Sequence, residues 1–385
     1  MTLSVQLVQP IVPSYRLPVF RGLAAAPGID LTVWADSKGE ASSLQGVTSD
    51  AGFRMRPAPI RRVGPFFWQS ASIAAAKSGA DVLLLSWASR SLDLTFALRA
   101  ARRRGVATIL WGHGFGTSHP LLGDLRRSRS RDAADAFLLY GPAGRDRLAK
   151  AGFAQERLFV APNAIDQASI AAAASDWRAD PARSTAFRIR HGLGDDPILL
   201  YVARLESEKL PQLAIEALSI LRRSLPARLV FIGDGAMRSD LEHLARDRGV
   251  ADAVIFLGAI YKESEIAPWA CSASCLVHPG AIGLSIFHAF GYGLPVITSG
   301  RAEIQMPEFE TLQDGVNGLV YRHGAAEDLA SKVALLLEDD ALRRRLSDSA
   351  LATVSGPRGR NLDGMLAGFL DALDFAASRR GKSRH

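Results

Sequence analysis

Two cations stand close together in the second half of the chain, between the pattern of a buried strand and the pattern of a helix. Arg204 follows the apolar run PILLYVA, and Lys209 precedes LPQLAIEALSILRR, whose apolar residues recur with a helical period. The first turn of a helix also offers free backbone N–H groups, which attract anions. Two cations beside such amides predict a binding site for a diphosphate.

Glycines lie at two other strand ends in the same half. Gly233 and Gly235 follow the run LVFI, and we expect them to let the backbone approach a ligand closely, because glycine has no Cβ. The stretch HPGAIGLSIFHAFGYGLPVITSG spans residues 278–300 and is typical of a strand end, a loop and a helix. His288 is expected one turn into that helix. The first amides of the helix are expected to point toward the same crevice, namely those of Gly283, Leu284 and Ser285.

Short apolar runs recur along the chain, and a helical pattern follows most of them. LSVQLVQ, DVLLLS, ATILWGHG and DAFLLYG lie in the first half, and PILLYVARL, ARLVFIGDG, CLVHPG and LPVITSG lie in the second. Runs without polar alternation indicate strands that are buried on both faces, as in a parallel sheet covered by helices. The sequence therefore predicts an α/β protein of two doubly wound units, whose ligands bind at the carboxyl ends of the strands.

A polar segment without any strand pattern separates the two sets of runs, near residues 165–195. We interpret it as the connection between two domains. The expected boundaries are 1–175 for an N-terminal domain and 190–360 for a C-terminal domain. Residues 361–385 are expected to form a C-terminal helix and a tail that packs back on the N-terminal domain. A chain of 385 residues, of which 48% are hydrophobic, is long enough to bury both cores.

The composition argues against several classes of protein. The sequence has two cysteines, Cys271 and Cys275, so neither a disulfide framework nor a zinc site is predicted. The N-terminus has no basic region followed by a long apolar stretch, and no later segment reaches the roughly 18 apolar residues of a membrane span. We expect a cytoplasmic protein, associated at most with the inner face of the membrane.

The excess of positive charge lies in the first 180 residues. They hold 22 Lys and Arg against 14 Asp and Glu, and the formal net charge of the whole chain is +7. Arginines cluster at three places: Arg54, Arg56, Arg61 and Arg62; Arg99 and Arg102 to Arg104; and Arg126, Arg127, Arg129 and Arg131. Such clusters either cover a solvated face or meet an anionic partner.

An anionic membrane surface or a phosphorylated acceptor would suit this charge. The stretch RRVGPFFWQ places three aromatic residues after two arginines, a pattern typical of segments at a membrane interface. Phe66, Phe67 and Trp68 fit a protein core equally well. Because the arginines form no recognised nucleic-acid module, we expect no nucleic acid partner.

Taken in order, the loops of the second half resemble those of a known enzyme family. YVARLESEKLPQLAIEAL, VFIGDGAMRSDLE, FLGAIYKESEIAPW, GYGLPVITSG and PEFETLQDGVNGLVYRHGAAEDLASKVALLLED are similar to motifs of the retaining glycosyltransferases of the GT-B fold, specifically glycosyltransferase family 4. The resemblance covers nearly the whole chain and is strongest from Ala149 to Asp339. It implies two Rossmann-like domains that face a central cleft, with the acceptor bound by the first domain and the donor by the second.

The chain departs from the family at its signature, which is a glutamate, seven further residues and a second glutamate. These two positions fall on Gly280 and His288. In the family the second glutamate binds the ribose of the donor, and a neutral imidazole offers one acceptor and one donor to the same hydroxyls. Gly280 has no side chain for the donor sugar, so we expect the backbone amides from Ala281 to Leu284 to replace the missing glutamate.

The resemblance also implies roles for individual residues. Arg204 and Lys209 correspond to the cations that bind the diphosphate and stabilise its charge as the glycosidic bond breaks, without a metal ion. His113, in LWGHGFG, corresponds to the histidine that contacts the donor sugar near the reacting carbon. Glu308 is expected near the ends of the second-domain strands. Recognition of the base is expected at Gly258, Ala259, Ile260 and Tyr261, and the wall of the acceptor site at Tyr15 and Arg16.

The implied function is the transfer of a sugar from a nucleoside diphosphate sugar, with UDP or GDP as the favoured nucleotide, to an acceptor hydroxyl. The reaction would retain the anomeric configuration and serve the synthesis of surface polysaccharide or lipid-linked glycan, and no cofactor is expected. Two alternatives stay open. Because both glutamates are absent, the protein could bind a sugar nucleotide or glycan without transferring it. A nucleotide-sugar epimerase can share the architecture but needs acid and base groups.

Overall fold

The computed structural model describes residues 2–36, 52–114, 131–356 and 359–380. Three arginines of the expected basic clusters, Arg126, Arg127 and Arg129, lie outside the described residues. Contacts divide the chain into two units. The first unit consists of Met1–Asn163 together with Leu362–His385, and the second unit is Ala164–Asn361.

The first unit is built on a parallel sheet. Its strands are β1 (Leu3–Val8), β2 (Ile29–Ala35), β3 (Arg54–Pro57), β6 (Val82–Ser86), β7 (Ala107–Gly112), β8 (Ala136–Leu139) and β9 (Leu158–Val160), in the order β3-β2-β1-β6-β7-β8-β9. A separate antiparallel pair is formed by β4 (Arg61–Val63) and β5 (Phe66–Trp68). The described helices are α1 (Leu17–Ala25), α2 (Ala71–Ala76), α3 (Leu94–Arg104), α4 (Pro142–Lys150) and, at the end of the chain, α13 (Leu362–Arg380).

The second unit repeats this architecture. Its strands are β10 (Ile198–Val202), β11 (Arg228–Ile232), β12 (Val254–Phe256), β13 (Ala273–His278), β14 (Val296–Ser299) and β15 (Gly318–Tyr321), in the order β12-β11-β10-β13-β14-β15. All neighbouring strands are parallel. The helices are α5 (Gln167–Arg178), α6 (Pro181–Arg190), α7 (Pro211–Leu221), α8 (Arg238–Asp247), α9 (Glu263–Ser272), α10 (Ser285–Gly291), α11 (Ala326–Glu338) and α12 (Asp340–Val354).

The strands are apolar on both faces because helices cover both sides of each sheet. Every residue of β7 and β8 is buried. In β10, Leu199 and Tyr201 pack into one hydrophobic cluster, whereas Ile198 and Leu200 pack into another on the opposite face. This arrangement confirms the prediction of two doubly wound α/β units from apolar runs without alternation.

The segment expected to connect the domains is helical. The expected N-terminal domain runs to residue 175, whereas α5 already belongs to the second unit. The helices α5 and α6 begin where the side chains of Asp166 and Asp180 cap them. Ile170 and Ala174 of α5 are buried in the second core. Because the exposed faces of these helices are polar, the segment is polar on average, and its apolar residues recur with a helical period that does not resemble a strand.

The C-terminal helix α13 belongs to the first unit. Phe369 contacts Trp111 of β7 with ring centroids 4.7 Å apart, and Phe375 contacts Phe159 of β9 at 5.2 Å. Gly368 lies so close to the backbone at the end of β9 that a Cβ would collide with it. The last helix therefore completes the core of the first unit.

The basic and aromatic stretch RRVGPFFWQ forms the β4 and β5 pair. Arg61 and Arg62 are exposed, whereas Phe66, Phe67 and Trp68 are half-buried. Within the described ranges, every helix is too short or too polar to span a bilayer. In the same part of the chain, His, Cys, Asp and Glu side chains form no group of three or more that could hold a metal ion.

Two strand-following loops of the second unit hold each other through their backbones. The amide of Gly280 donates to the carbonyl oxygen of Lys209 at 3.0 Å, and the amide of Ala281 donates to that of Glu208 at 3.1 Å. A Cβ at position 280 would lie 2.5 Å from the carbonyl carbon of Lys209. Glycine at this position lets the loop after β13 come this close to the loop after β10.

We expect Gly280→Ala to lower the free energy of unfolding by about 1–3 kcal/mol, the usual cost of adding a carbon to a packed contact. The added carbon must push the loop after β10 away. Gly283→Ala is the matched control, because a Cβ at position 283 would meet its nearest neighbour, a side-chain atom of Met306, at 3.6 Å. Urea unfolding of the two variants measures the difference, and equal midpoints would contradict the expectation.

Candidate functional site

Lys209 lies where the chain passes from β10 to α7. A 3-10 turn at Ser207–Lys209 is followed by Leu210, which adopts a left-handed φ of 50°, and Pro211 then begins the helix. The Lys209 side chain is 14% exposed, and its Nζ donates to the carbonyl oxygen of Ala281 at 2.8 Å. The ammonium group is therefore fixed at the carboxyl ends of β10 and β13.

The histidine at the end of β13 is neutral. His278 is buried, and its ring stacks on Tyr201 with the centroids 5.7 Å apart. Burial and the nearby charge of Lys209 lower the pKa of His278 to about 3. The only carboxylate paired with Lys209 among the described residues is that of Glu208, whose Oε1 lies 3.4 Å from Nζ. The side chain of Lys209 thus lies near a neutral imidazole and beside a single carboxylate of the described residues.

Arg204 is held less firmly than Lys209. Its side chain is 48% exposed and forms ion pairs with Glu206 at 2.6 Å and with Glu208 at 3.8 Å. Exposed pairs of this kind contribute at most about 1 kcal/mol. An anionic ligand can therefore replace them at small cost. The structure brings both cations of the sequence motif to one loop, with the Lys209 side chain 14% exposed and the Arg204 side chain 48% exposed.

The amides expected to replace the missing signature glutamate are partly occupied. Ala281 donates to Glu208, and Ile282 donates to Oε1 of Gln305 at 2.7 Å. These two amides serve the protein itself, which differs from the expectation that they bind the donor sugar. Three further amides at the start of α10 donate to no acceptor among the described residues, namely those of Gly283, Leu284 and Ser285.

Gly233 and Gly235 approach protein backbone. Gly233 has a φ of 150°, and a Cβ there would collide with the carbonyl oxygen of Ala203. A Cβ on Gly235 would lie 2.5 Å from the carbonyl oxygen of Leu205. Both glycines thus allow close packing against the loop that carries Arg204. The sequence analysis expected them to approach a ligand instead.

Residues 258–261, expected to meet the nucleobase, belong to the segment between β12 and α9. The carbonyl oxygen of Gly258 accepts a hydrogen bond from the amide of Gly233 at 2.8 Å. Tyr261 is 89% exposed, so both faces of its ring are open to solvent. Gly258 therefore connects this segment to the loop after β11, and the ring of Tyr261 at the other end is exposed.

His288 is held by a carboxylate from a neighbouring helix. Its Nε2 lies 3.0 Å from Oε2 and 3.1 Å from Oε1 of Glu263, the first residue of α9. The hydroxyl of Tyr292 donates to the same carboxylate at 2.7 Å. Because the carboxylate holds the proton on Nε2, Nδ1 of a neutral His288 is an acceptor, and it has no hydrogen-bond partner in the described part of the chain.

The carboxylate of Glu263 is ionised at neutral pH. Burial opposes ionisation, yet the interaction with His288 and the hydrogen bond from Tyr292 lower the pKa of Glu263 overall. Its contribution to stability is present above the ordinary pKa of a glutamate and is lost as the pH falls through the lowered value. Sequence reasoning missed Glu263, and the one signal for it was its place in the motif FLGAIYKESEIAPW.

Glu308 lies beside the start of α10. It is buried within the turn at Pro307–Thr311. Its Oε2 is 3.9 Å from the position that a Cβ would take on Gly283. The structure therefore places this carboxyl group next to the first amides of the helix that carries His288.

In the first unit, the expected residues gather near the carboxyl ends of β7 and β8. His113 follows β7 and Tyr140 follows β8, with ring centroids 4.7 Å apart. Cζ of Arg16 lies 4.2 Å from the ring centroid of Trp111 and 5.8 Å from that of Tyr15. Burial and the charge of Arg16 lower the pKa of His113. The histidine is therefore neutral at physiological pH.

Comparison with known proteins finds similarity to glycosyltransferases. Residues 183–352 match the family described as Glycosyl transferases group 1. An alpha-D-kanosaminyltransferase of Streptomyces kanamyceticus is 32% identical over 174 residues, which is 44% of each chain, so the match spans less than half of that relative. A GDP-mannose-dependent alpha-(1-6)-phosphatidylinositol monomannoside mannosyltransferase of Mycobacterium tuberculosis is 28% identical over 328 residues, which is 80% of each chain.

A solved structure shares the fold over nearly the whole length. The Anabaena protein HepE, in complex with UDP, superimposes with a TM-score of 0.73 at 16% identity and covers 97% of this chain and 100% of its own. The family match and this likeness confirm the resemblance that the motifs indicated. Residues 183–352 of the second unit are therefore similar to the glycosyl transferases group 1, and the chain as a whole has the GT-B fold.

Proposed function

We propose that the protein transfers a sugar from a nucleoside diphosphate sugar to an acceptor hydroxyl with retention of configuration. The observation that carries this proposal is the fixed ammonium of Lys209 at the ends of β10 and β13, with the guanidinium of Arg204 on the same loop. Two cations at this edge of a parallel sheet suit a diphosphate. A GDP-mannose-dependent relative and a UDP-bound structural neighbour support a nucleotide-sugar donor.

The two cations act on the leaving group. As the bond between the anomeric carbon and the diphosphate oxygen breaks, negative charge develops on the diphosphate. Lys209 and Arg204 stabilise this charge more in the transition state than in the ground state, which lowers the barrier. Lys209 needs little reorganisation, because the carbonyl of Ala281 already holds its Nζ. Since side chains supply the charge, the proposed reaction needs no metal ion.

Retention follows if the acceptor attacks from the face on which the diphosphate leaves. The acceptor oxygen forms the new bond to the anomeric carbon as the old bond breaks. An oxygen of the departing diphosphate takes the acceptor proton. No carboxylate nucleophile enters this scheme, which is consistent with glycine at position 280.

His288, Glu263 and Tyr292 are proposed to recognise the donor ribose together. Nε2 of His288 is committed to Glu263, so Nδ1 is the ring atom that can accept a ribose hydroxyl. Tyr292 fixes the carboxylate from a second side. One histidine and one glutamate thus supply the acceptor that the signature glutamate supplies elsewhere in the family.

The first unit is proposed to bind the acceptor, with His113 directed to the donor sugar. A neutral imidazole can both accept from and donate to sugar hydroxyls, and burial keeps His113 neutral by lowering its pKa. The mycobacterial relative is named for phosphatidylinositol monomannoside, a glycolipid. A glycan or lipid-linked glycan is therefore the acceptor class that we propose.

Lys209→Met is expected to slow cleavage of the donor at least about 30-fold, because losing one preorganised donor to a developing oxyanion costs about 2 kcal/mol or more. Arg204→Ala is expected to have an effect of similar size. The measurement is the release of UDP from UDP-glucose and of GDP from GDP-mannose by the purified full chain. Lys262→Met is the control, because Lys262 is exposed and pairs only with Glu265 among the described residues. Wild-type release by either site variant would refute the role of that residue.

His288→Ala is expected to weaken UDP binding about tenfold, the effect of losing one hydrogen bond to a ligand hydroxyl. It should also remove the preference of the chain for UDP over 2′,3′-dideoxy-UDP. Glu263→Ala should have the same two effects, since the imidazole then loses its fixed orientation. Calorimetric titration at pH 7.5 measures both affinities, with the guanosine pair used if GDP is the nucleotide bound.

The neighbouring Glu265→Ala is the matched control for this experiment. Glu265 is on the same helix and pairs with the exposed Lys262. It should leave both affinities unchanged. A His288→Ala chain that still prefers the ribonucleotide would show that His288 does not contact the ribose.

One observation favours a second function, binding of a sugar nucleotide without transfer. Gly280 leaves the position of the first signature glutamate without a side chain. Such a protein would bind UDP or GDP yet release no diphosphate from any donor. Incubation of the donor without an acceptor also tests for an epimerase, which would convert one sugar nucleotide into its epimer.

A further inference from the structure

The first unit contains three buried hydrogen-bond donors without acceptors. Nε2 of Gln9, Nε of Arg16 and Nε1 of Trp111 are shut off from solvent and make no hydrogen bond in the described structure. Each of these N–H groups can only donate. A buried donor without a partner lowers stability. One such donor on Arg16 and two on residues that contact it favour a ligand that supplies acceptors.

The three residues contact one another through Arg16. Its Nη1 donates to Oε1 of Gln9 at 3.2 Å, which fixes the amide so that Nε2 points elsewhere. Its Cζ lies 4.2 Å from the ring centroid of Trp111. Its Nη2 donates to the hydroxyl of Tyr140 at 2.8 Å. The guanidinium is therefore held in place by neutral groups on several sides.

The positive charge of Arg16 has no counterion in the described part of the chain. The side chains that it contacts are those of Gln9, Tyr15, Trp111 and Tyr140, and none of them is a carboxylate. His113 beside Tyr140 is also neutral, because burial and Arg16 lower its pKa. Arg16 is half-buried, so its charge is only partly solvated. A cation in such a place is usually paired.

The cluster lies where ligands bind in doubly wound sheets. Gln9 comes directly after β1, and Tyr140 comes directly after β8. Trp111 lies near the end of β7, which runs between them in the sheet order β1-β6-β7-β8. The carboxyl ends of parallel strands are the usual position of a ligand in this fold.

We propose that Gln9, Arg16, Trp111 and Tyr140 form an oxyanion site that binds a phosphate group. Arg16 supplies the charge, and the unsatisfied N–H groups supply donors to the phosphate oxygens. The phosphate belongs to the acceptor, as in a lipid-linked phosphate. The assignment to the acceptor rests on the proposed function, whereas the phosphate site itself does not.

The test is a titration of inorganic phosphate into the full-length chain, labelled with ¹⁵N and carrying Arg204→Ala and Lys209→Ala. These two substitutions remove the candidate diphosphate site of the second unit. Correlation spectra detect the Nε–H of arginine and the Nε1–H of tryptophan directly. The signals of Arg16 and Trp111, assigned with the variants Arg16→Lys and Trp111→Phe, are expected to shift and to saturate.

Adding Arg16→Gln to this chain is expected to weaken phosphate binding at least tenfold. Arg99→Gln is the matched control, since it removes an exposed arginine of α3 in the same unit and should leave the affinity unchanged. Arg16→Lys keeps the charge, so it should retain more affinity than Arg16→Gln. Signals of Arg16 and Trp111 that stay in place at saturating phosphate, in a folded chain, would overturn the proposal. Equal affinities of the Arg16→Gln and Arg99→Gln chains would do the same.

Two further titrations test the assignment to the acceptor. In the chain with Arg204 and Lys209 intact, movement of the Arg16 signal with a short-chain phosphatidic acid but not with UDP or GDP supports it. Movement of the Arg16 signal with UDP or GDP would overturn it. If the nucleotide binds by calorimetry while phosphate leaves Arg16 unmoved, the proposed function stands and this site is wrong. If phosphate moves the Arg16 signal but no nucleotide binds by calorimetry, the phosphate site stands and the nucleotide-sugar function is wrong.

Discussion

The backbone contact between residues 208–209 and 280–281 is the constraint on which the site of the second unit depends. It joins the loop after β10 to the loop after β13 by two hydrogen bonds, and it requires glycine at position 280. The same contact brings the carbonyl of Ala281 to Nζ of Lys209. A glutamate at position 280 does not fit this backbone, so the contact between the two loops depends on the glycine that stands at the signature position.

The other signature position shows how a lost carboxylate can be replaced from elsewhere in the fold. His288 cannot carry a negative charge, but Glu263 of α9 lies 3.0 Å from its Nε2 and stays ionised because its pKa is lowered. The hydrogen bond from Nε2 to this carboxylate fixes the orientation of the imidazole ring and therefore the direction of Nδ1. This arrangement also requires Tyr292, whose hydroxyl donates a second hydrogen bond to the carboxylate of Glu263.

Much of the fold could be predicted from the sequence, because apolar runs without alternation indicate buried parallel strands wherever they occur. The grouping of Arg204 with Lys209 could be predicted as well, since both follow the same strand. Contacts between residues distant in sequence could not. Glu263 and His288 are 25 residues apart, and no local pattern links them. The unsatisfied donors of Gln9 and Trp111 depend on which groups surround them in three dimensions, which spacing along the chain does not encode.

The most direct test of a diphosphate site at Lys209 is a calorimetric comparison of UDP with UMP, and of GDP with GMP, on the wild-type chain and on Lys209→Met. If the fixed ammonium binds the outer phosphate, the diphosphate of one pair should bind the wild-type chain at least about tenfold more tightly than the monophosphate, a difference of about 1.4 kcal/mol. That difference should disappear in the variant. Equal affinities of the wild-type chain for the monophosphate and the diphosphate would contradict the assignment of this loop to the donor diphosphate.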